Sequence, residues 1–187
     1  DEILTEACGS GEGFLSELCL RWEAAAGPAA RAGLRTVQSR TGLVVSSSGG
    51  LGRILGAAYR VGAGARLGRG DQWQPWIGLE DAAAGLLWAI EHDDVHGPVN
   101  LTAPEPQRNR DLHRLLSRAG GLPSVAVVPQ LLLDRAGRAG AAGGAGSVGG
   151  MLAELLGASQ RAVPQALLAS GFRFTAPDAA SIWALGT

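Results

Sequence analysis

Gln72, Trp73 and Trp76 are the residues whose types and spacing best suit a ligand, within the run Gly68-Arg-Gly-Asp-Gln-Trp-Gln-Pro-Trp-Ile-Gly-Leu-Glu-Asp81. Indole rings in a Gly- and Pro-containing loop can stack on a flat or sugar-like group, while their N–H groups and a neighbouring amide take its polar atoms. The expectation is a pocket for a small molecule with these three residues on its wall. Burial is the competing expectation for the indoles, with Trp76 in the core and Trp73 plugging a junction between lobes.

What the chain lacks bounds its chemistry. It has no lysine among its 187 residues, so it cannot itself supply a Schiff-base amine, a phosphate-loop lysine, or the lysine that lowers a catalytic tyrosine's pKa. The basic residues are all arginine, spread among the acids with a net charge of -1, and leave no footprint for nucleic acid. Cys8 and Cys19 have no CxxC spacing and no signal peptide before them; they read as reduced thiols of an intracellular, soluble protein. His92 and His96 share a helical face, but Gly97-Pro98 follows at once; a solvated helix end is expected and no metal site. No apolar run approaches the roughly 20 residues that span a bilayer. Starting at Asp1, the sequence reads as a fragment or a processed product.

The elements that must position these residues follow from periodicity. Gly13 to Ala26 carries Phe14, Leu15, Leu18, Cys19 and Trp22 at helical spacing, and Gly27-Pro28 is expected to end that helix. Leu34 to Arg40 and Gly42 to Val45 read as a buried strand reaching a Ser/Gly loop, followed by a helix over Leu51 to Tyr59. The glycines at 62, 64, 68 and 70 read as a flexible turn, since Arg66-Leu67 interrupts them as a dinucleotide fingerprint. Trp76-Ile77 is a short strand, and Asp81 is expected to cap or charge a helix running to Glu91. Val99 to Thr102 is a strand, Asn109 is expected to cap a helix to Arg118, and Val125 to Val128 is a strand. The Gly/Ala run 136–150 reads as a mobile loop. Helices over Met151 to Leu156 and Pro164 to Ala169, a strand Phe172-Arg-Phe174 and a helix from Pro177 complete the tail. The class is α/β.

In this order, Leu4-Thr-Glu6, Gly13-Phe-Leu15, Glu17-Leu-Cys19, Trp22-Glu-Ala-Ala-Ala26, Arg40-Thr-Gly42, Gln72-Trp73, Trp76-Ile77, Asp81, Gly97-Pro-Val-Asn-Leu-Thr-Ala-Pro104 and Gly171-Phe-Arg-Phe174 resemble the atypical short-chain dehydrogenase/reductase proteins of the epimerase family. The resemblance covers the second half of such a protein. It implies the C-terminal half of a Rossmann-type fold over 1–129, carrying the substrate lobe, and a small α-rich C-terminal domain over 130–187. It also implies NADP(H), held mainly by residues upstream of this chain, with Arg40, Thr41, Gly42 and Val44 passing beside the nicotinamide. Gly42 could serve close approach to that ring, or simply a turn at the strand end.

The resemblance also marks departures. The tyrosine and lysine expected four residues apart on the first helix are absent, as Phe14 is followed by Leu18 and Leu15 by Cys19. Related nucleotide-sugar enzymes place an arginine for the diphosphate where Gln74 stands, and a histidine where Gly78 stands. Losing the bidentate guanidinium argues against a nucleotide-diphosphate sugar. An oxidoreductase or isomerase acting on another small molecule is the leading expectation; a non-catalytic nucleotide-binding protein is the alternative.

Overall fold

β-Branched and other apolar residues at 37–45, 76–78 and 97–101 build the centre of an α/β arrangement in which parallel strands carry helices on both faces. The computed structural model describes residues 1–185 apart from 12, 47, 130, 133–134 and 136–155. In chain order the elements are β1 (Ile3–Leu4), α1 (Phe14–Ala25), α2 (Gly27–Arg31), β2 (Val37–Thr41), β3 (Leu43–Val45), α3 (Gly50–Arg60), β4 (Ala65–Leu67), β5 (Trp73–Gln74) and β6 (Trp76–Gly78). Then come α4 (Leu79–Glu91), β7 (Gly97–Leu101), β8 (Gln107–Arg108), α5 (Asn109–Ala119), β9 (Ala126–Val128), β10 (Arg161–Ala162), α6 (Gln165–Ala169) and α7 (Ala179–Leu185).

The stretch 37–45 changes partner partway. β2 runs parallel to β7, from Val37 opposite Gly97 to Thr41 opposite Leu101, and β3 runs parallel to β6, from Leu43 opposite Trp76 to Val45 opposite Gly78. At the switch, the Gly42 N–H donates to the Leu101 carbonyl at 3.0 Å and the Leu43 N–H to the Pro75 carbonyl at 2.7 Å. A Cβ on Gly42 would lie 2.2 Å from the Pro75 oxygen. Glycine is required there because backbone meets backbone. Two further parallel pairs, β1 with β10 and β4 with β9, and one antiparallel pair, β5 with β8, complete the strands.

Side chains alternate across β6 and so feed two cores. Trp76 enters a cluster with Val45, Tyr59, Leu112, Leu116, Ile182 and Trp183, while Ile77 enters one with Ala82, Val99, Leu101, Leu167 and Phe172. Helix α4 lies close to the sheet because its inward residues Ala82, Gly85 and Ala89 are small and buried. A Cβ on Gly85 would come within 2.8 Å of Leu101 Cδ2. At the far end of α4, Arg35 donates to the carbonyls of Ala89, Ile90 and Val95 at 2.7, 2.8 and 3.0 Å, satisfying acceptors that a helix end leaves open.

Several local expectations change. The first helix ends before Gly27-Pro28 as expected, but a second begins there at once, with Pro28 in the first turn of α2, where its missing N–H costs nothing. The glycine stretch 61–70 is more than a turn, since β4 lies within it and pairs with β9. Phe172-Arg-Phe174 is not a strand. Its alternation serves packing instead, with the two Phe rings edge to face at 4.8 Å and 90°. The expected loop 136–150 and most of the helix from Met151 lie outside the described residues. Among the described residues, no helix is long and apolar enough to cross a membrane.

Candidate functional site

Arg40, Thr41, Gly42 and Val44 occupy the end of β2 and the start of β3. The Arg40 guanidinium is committed inside the chain: Nε and Nη2 donate to the Glu23 carboxylate at 2.7 and 2.8 Å, and Nη1 to the Glu6 carbonyl at 3.3 Å. This fork bonds α1 to β2, holds the Glu23 carboxyl below its ordinary range through the Arg40 hydrogen bonds, and raises Arg40 in return. Thr41 is exposed, its hydroxyl 2.9 Å from that of Ser39. Val44 is half-buried against the Ile77 cluster. Of the three side chains, the Thr41 hydroxyl is exposed, and the partly exposed Arg40 guanidinium is occupied by Glu23 and Glu6.

The three expected pocket residues part company. Trp76 is 3 % exposed and lies edge-on to Trp183 with ring centroids 6.1 Å apart; it is core. Its neighbour Gln74 is 1 % exposed, donating to the Leu156 carbonyl at 3.3 Å and accepting from Asn109 Nδ2 at 3.2 Å. Asn109 does not cap α5, because its Oδ1 accepts from the Leu67 N–H at 3.0 Å. The Gln74–Asn109 pair thus ties β5 and β4 to α5, and Gln74 is unavailable to a ligand.

Trp73 sits at the surface of the same segment. Its ring is flanked by the guanidinium carbons of Arg108 and Arg161, at 4.6 and 4.7 Å from the centroid, an arrangement the negative ring face favours. The indole Nε1 donates to Asp1 Oδ1 at 3.0 Å, and Arg108 Nη2 donates to the same oxygen at 2.7 Å. Beside it opens a cleft of about 350 Å³ lined by Asp1, Arg69, Asp71, Gln72, Arg108, Gly157 and Ser159. Gln72 is the expected pocket residue that lines it, with Nε2 donating to the Leu67 carbonyl at 3.3 Å. Arg108 is positioned from behind by the Asp71 carbonyl at 2.8 Å. Asp71 in turn accepts from Arg110 at 2.6 Å and pairs with Arg69 at 3.0 Å.

Several other titratable groups hold the fold together. Asp81, 2 % exposed, does not cap its own helix. It accepts from the N–H groups of Thr175 and Ala176 at 2.9 and 2.8 Å, pinning the C-terminal segment to α4. Glu6 Oε1 accepts from the N–H groups of Asn100 and Ala166, both at 3.1 Å. Tyr59 and His113 meet with Oη 2.8 Å from Nδ1. Burial raises the Tyr59 phenol to about 12, and burial also pushes the His113 imidazole below its ordinary value. His92 stacks on Trp88 at 3.5 Å and His96 is exposed, so the two do not converge. Cys8 and Cys19 are free thiols. Among the described residues, no group of three or more His, Cys, Asp or Glu could hold a metal ion.

Sequence reasoning missed Arg69, Asp71, Arg108 and Ser159. The available signal was Arg108 two residues beyond the Pro104-Glu-Pro106 turn, next to the β8 residue that pairs with Gln74. Nothing local links it to Trp73, because the contact depends on antiparallel pairing across the intervening α4 and β7.

Comparison with known proteins bears on the whole arrangement. Residues 147–182 match the family described as "Domain of unknown function (DUF1731)". Epimerase family protein Mb2239 of Mycobacterium bovis is 39 % identical over 175 residues, covering 93 % of this chain and 54 % of the relative. Among solved structures, the human epimerase family protein SDR39U1 (isoform 2) with NADPH aligns over 97 % of this chain and 58 % of its own, at 27 % identity and a TM-score of 0.81. A nucleoside-diphosphate sugar epimerase from Corynebacterium glutamicum aligns over 100 % of this chain and 34 % of its own, at 31 % identity and a TM-score of 0.75. The chain spans about half the length of the curated relatives it matches. With this order of strands and helices, and with these relatives, the chain belongs to the epimerase family of short-chain dehydrogenase/reductase-like proteins, with the C-terminal domain of unknown function that accompanies it.

Proposed function

We propose that the chain forms the substrate side of an NADP(H)-binding oxidoreductase or isomerase acting on a small molecule other than a nucleotide-diphosphate sugar. The observation that carries the reading is the match along nearly the whole chain to a human relative solved with NADPH. In this reading residues 1–129 are the Rossmann-type part with its substrate lobe, and 130–187 the module that closes it. Cofactor contact falls to Thr41 and to backbone at 41–44, and the pyrophosphate to a glycine-rich turn outside this chain. The second edge of β2, unpaired among the described residues, and the exposed Leu20 and Trp22 of α1, at 48 % and 70 %, suit a neighbouring strand and its packing. The burial of Gln74 in place of an arginine facing a ligand argues against a diphosphate sugar.

A second reading, a nucleotide-binding protein without turnover, is favoured by α1, where Leu15 and Cys19 stand in place of a tyrosine–lysine pair. Fluorescence titration of NADPH against the protein as the cell makes it tests the cofactor claim, and absence of binding sinks it. Binding with no turnover across a panel of carbonyl and sugar substrates favours the second reading.

A further inference from the structure

We propose that the cleft beside Trp73 binds a phosphate monoester, with Arg108 and the Trp73 N–H taking the phosphate oxygen and Arg69 closing over it from the rim. This rests on the reading above that the chain serves a small-molecule ligand, and names the class. The slot already holds a carboxylate, as one Asp1 oxygen receives both the Trp73 Nε1 and Arg108 Nη2 donors. That carboxylate is 72 % exposed, so it can leave without breaking a buried contact. Arg108 is 20 % exposed and fixed by the Asp71 carbonyl and the Trp73 ring. Its fork is thus pre-positioned rather than ordered on binding.

Charge selects the class. Arg69, Arg108, Arg110 and Arg161 surround three carboxylates, Asp1, Asp71 and Asp111, an excess of one positive charge that an anion meets once the Asp1 carboxylate has swung out. Ser159 lines the cleft with its hydroxyl accepting from the Trp73 main-chain N–H at 3.2 Å, which leaves its proton to donate. No bond is made or broken at this subsite; it orients the ligand.

Isothermal titration of the protein as the cell makes it, with glycerol phosphate, inorganic phosphate, acetate and glycerol, each with and without saturating NADPH, tests the proposal. Glycerol phosphate and phosphate should bind saturably in both conditions, acetate more weakly, and glycerol not at all. Arg108→Gln should weaken glycerol phosphate about tenfold or more and Arg69→Gln about threefold, in line with lost charge-assisted hydrogen bonds. Asp1→Asn should tighten it several-fold by removing the resident competitor, a sign a purely structural Asp1 would not give. Should Arg108→Gln fail to fold, Arg69→Gln and Asp1→Asn still decide, since their side chains are 90 % and 72 % exposed. Absence of saturable phosphate binding, acetate binding more tightly than phosphate, indifference to the arginine variants, or weakening by Asp1→Asn would each overturn the proposal. Failure of NADPH alone would sink the cofactor reading and leave the cleft standing.

Discussion

Trp73 and Trp76 are separated by Gln74 and Pro75 and differ in almost everything else. Trp76 is sealed between the sheet and Trp183; Trp73 lies at a cleft edge between two guanidiniums. The two indoles have the same chemistry and the same local neighbours, so local sequence does not separate them. Partners remote in sequence do. Trp76 meets the helix at the end of the C-terminal domain match, and Trp73 meets Arg108, Arg161 and Asp1. The lesson is that one aromatic-rich turn in this chain serves two ends at once, closing a core and shaping a rim.

The comparison can be broken most severely at Trp76. Trp76→Ala should cost about 3–5 kcal/mol, as large-to-small changes at buried aromatics do, and shift the denaturant midpoint without altering ligand binding in the surviving folded fraction. Next comes Asp81→Ala, which leaves the part-buried N–H of Thr175 and the buried N–H of Ala176 without their acceptor. A loss of about 2–4 kcal/mol is expected, together with faster proteolysis of the C-terminal segment; unchanged protease sensitivity would refute the pinning role.

Tyr59 and His113 give an intermediate, pH-dependent effect. His113 is depressed below its ordinary 6.5 in the folded protein, so below that pH the unfolded chain binds more protons and stability falls as pH drops. Tyr59 is raised from 10.0 to about 12, so the folded state holds the proton longer and stability falls again as pH rises through that interval. Tyr59→Phe should abolish the alkaline arm and cost about 1 kcal/mol from the lost hydrogen bond, read from thermal midpoints across pH. Smallest of all, Trp73→Phe should change stability by less than about 1 kcal/mol, since it keeps the ring between the guanidiniums and removes one exposed hydrogen bond. A loss as large as that of Trp76→Ala would erase the distinction between the two indoles.

The longer elements were legible in sequence. Helices α3, α4 and α5 and strands β3, β6, β7 and β9 fall within a few residues of their expected places, because apolar periodicity and the glycine and proline punctuation agree there. Strands β1, β5, β8 and β10 have two residues each, too few to carry a period, and exist only through their partners. Asp81 and Asn109 both stand at helix starts, where a cap or, for Asp81, a first-turn charge is the local expectation, and Asp81 does lie in the first turn of α4. Each instead reaches a distant backbone or side chain, a choice tertiary burial makes. Of the ligand-side residues, Gln72 lines the cleft and Trp73 borders it with its indole N–H on Asp1, while the arginines stayed invisible because no local pattern distinguishes a rim arginine from a solvated one.

The pairing of β1 with β10, together with the Asp81 bonds to Thr175 and Ala176, carries a consequence for biosynthesis. Neither face of the sheet is sealed until residues from Arg161 to Trp183 have emerged from the ribosome, since Leu167 and Phe172 complete one core and Ile182 and Trp183 the other. A nascent chain holding only the earlier strands exposes Trp76 and Ile77 to solvent and to its neighbours on the polysome. Such non-local closure slows folding and lengthens the interval open to aggregation. Translation pauses near the C-terminal segment, or early stop codons within it, should therefore be tolerated far less well than substitutions in the cleft.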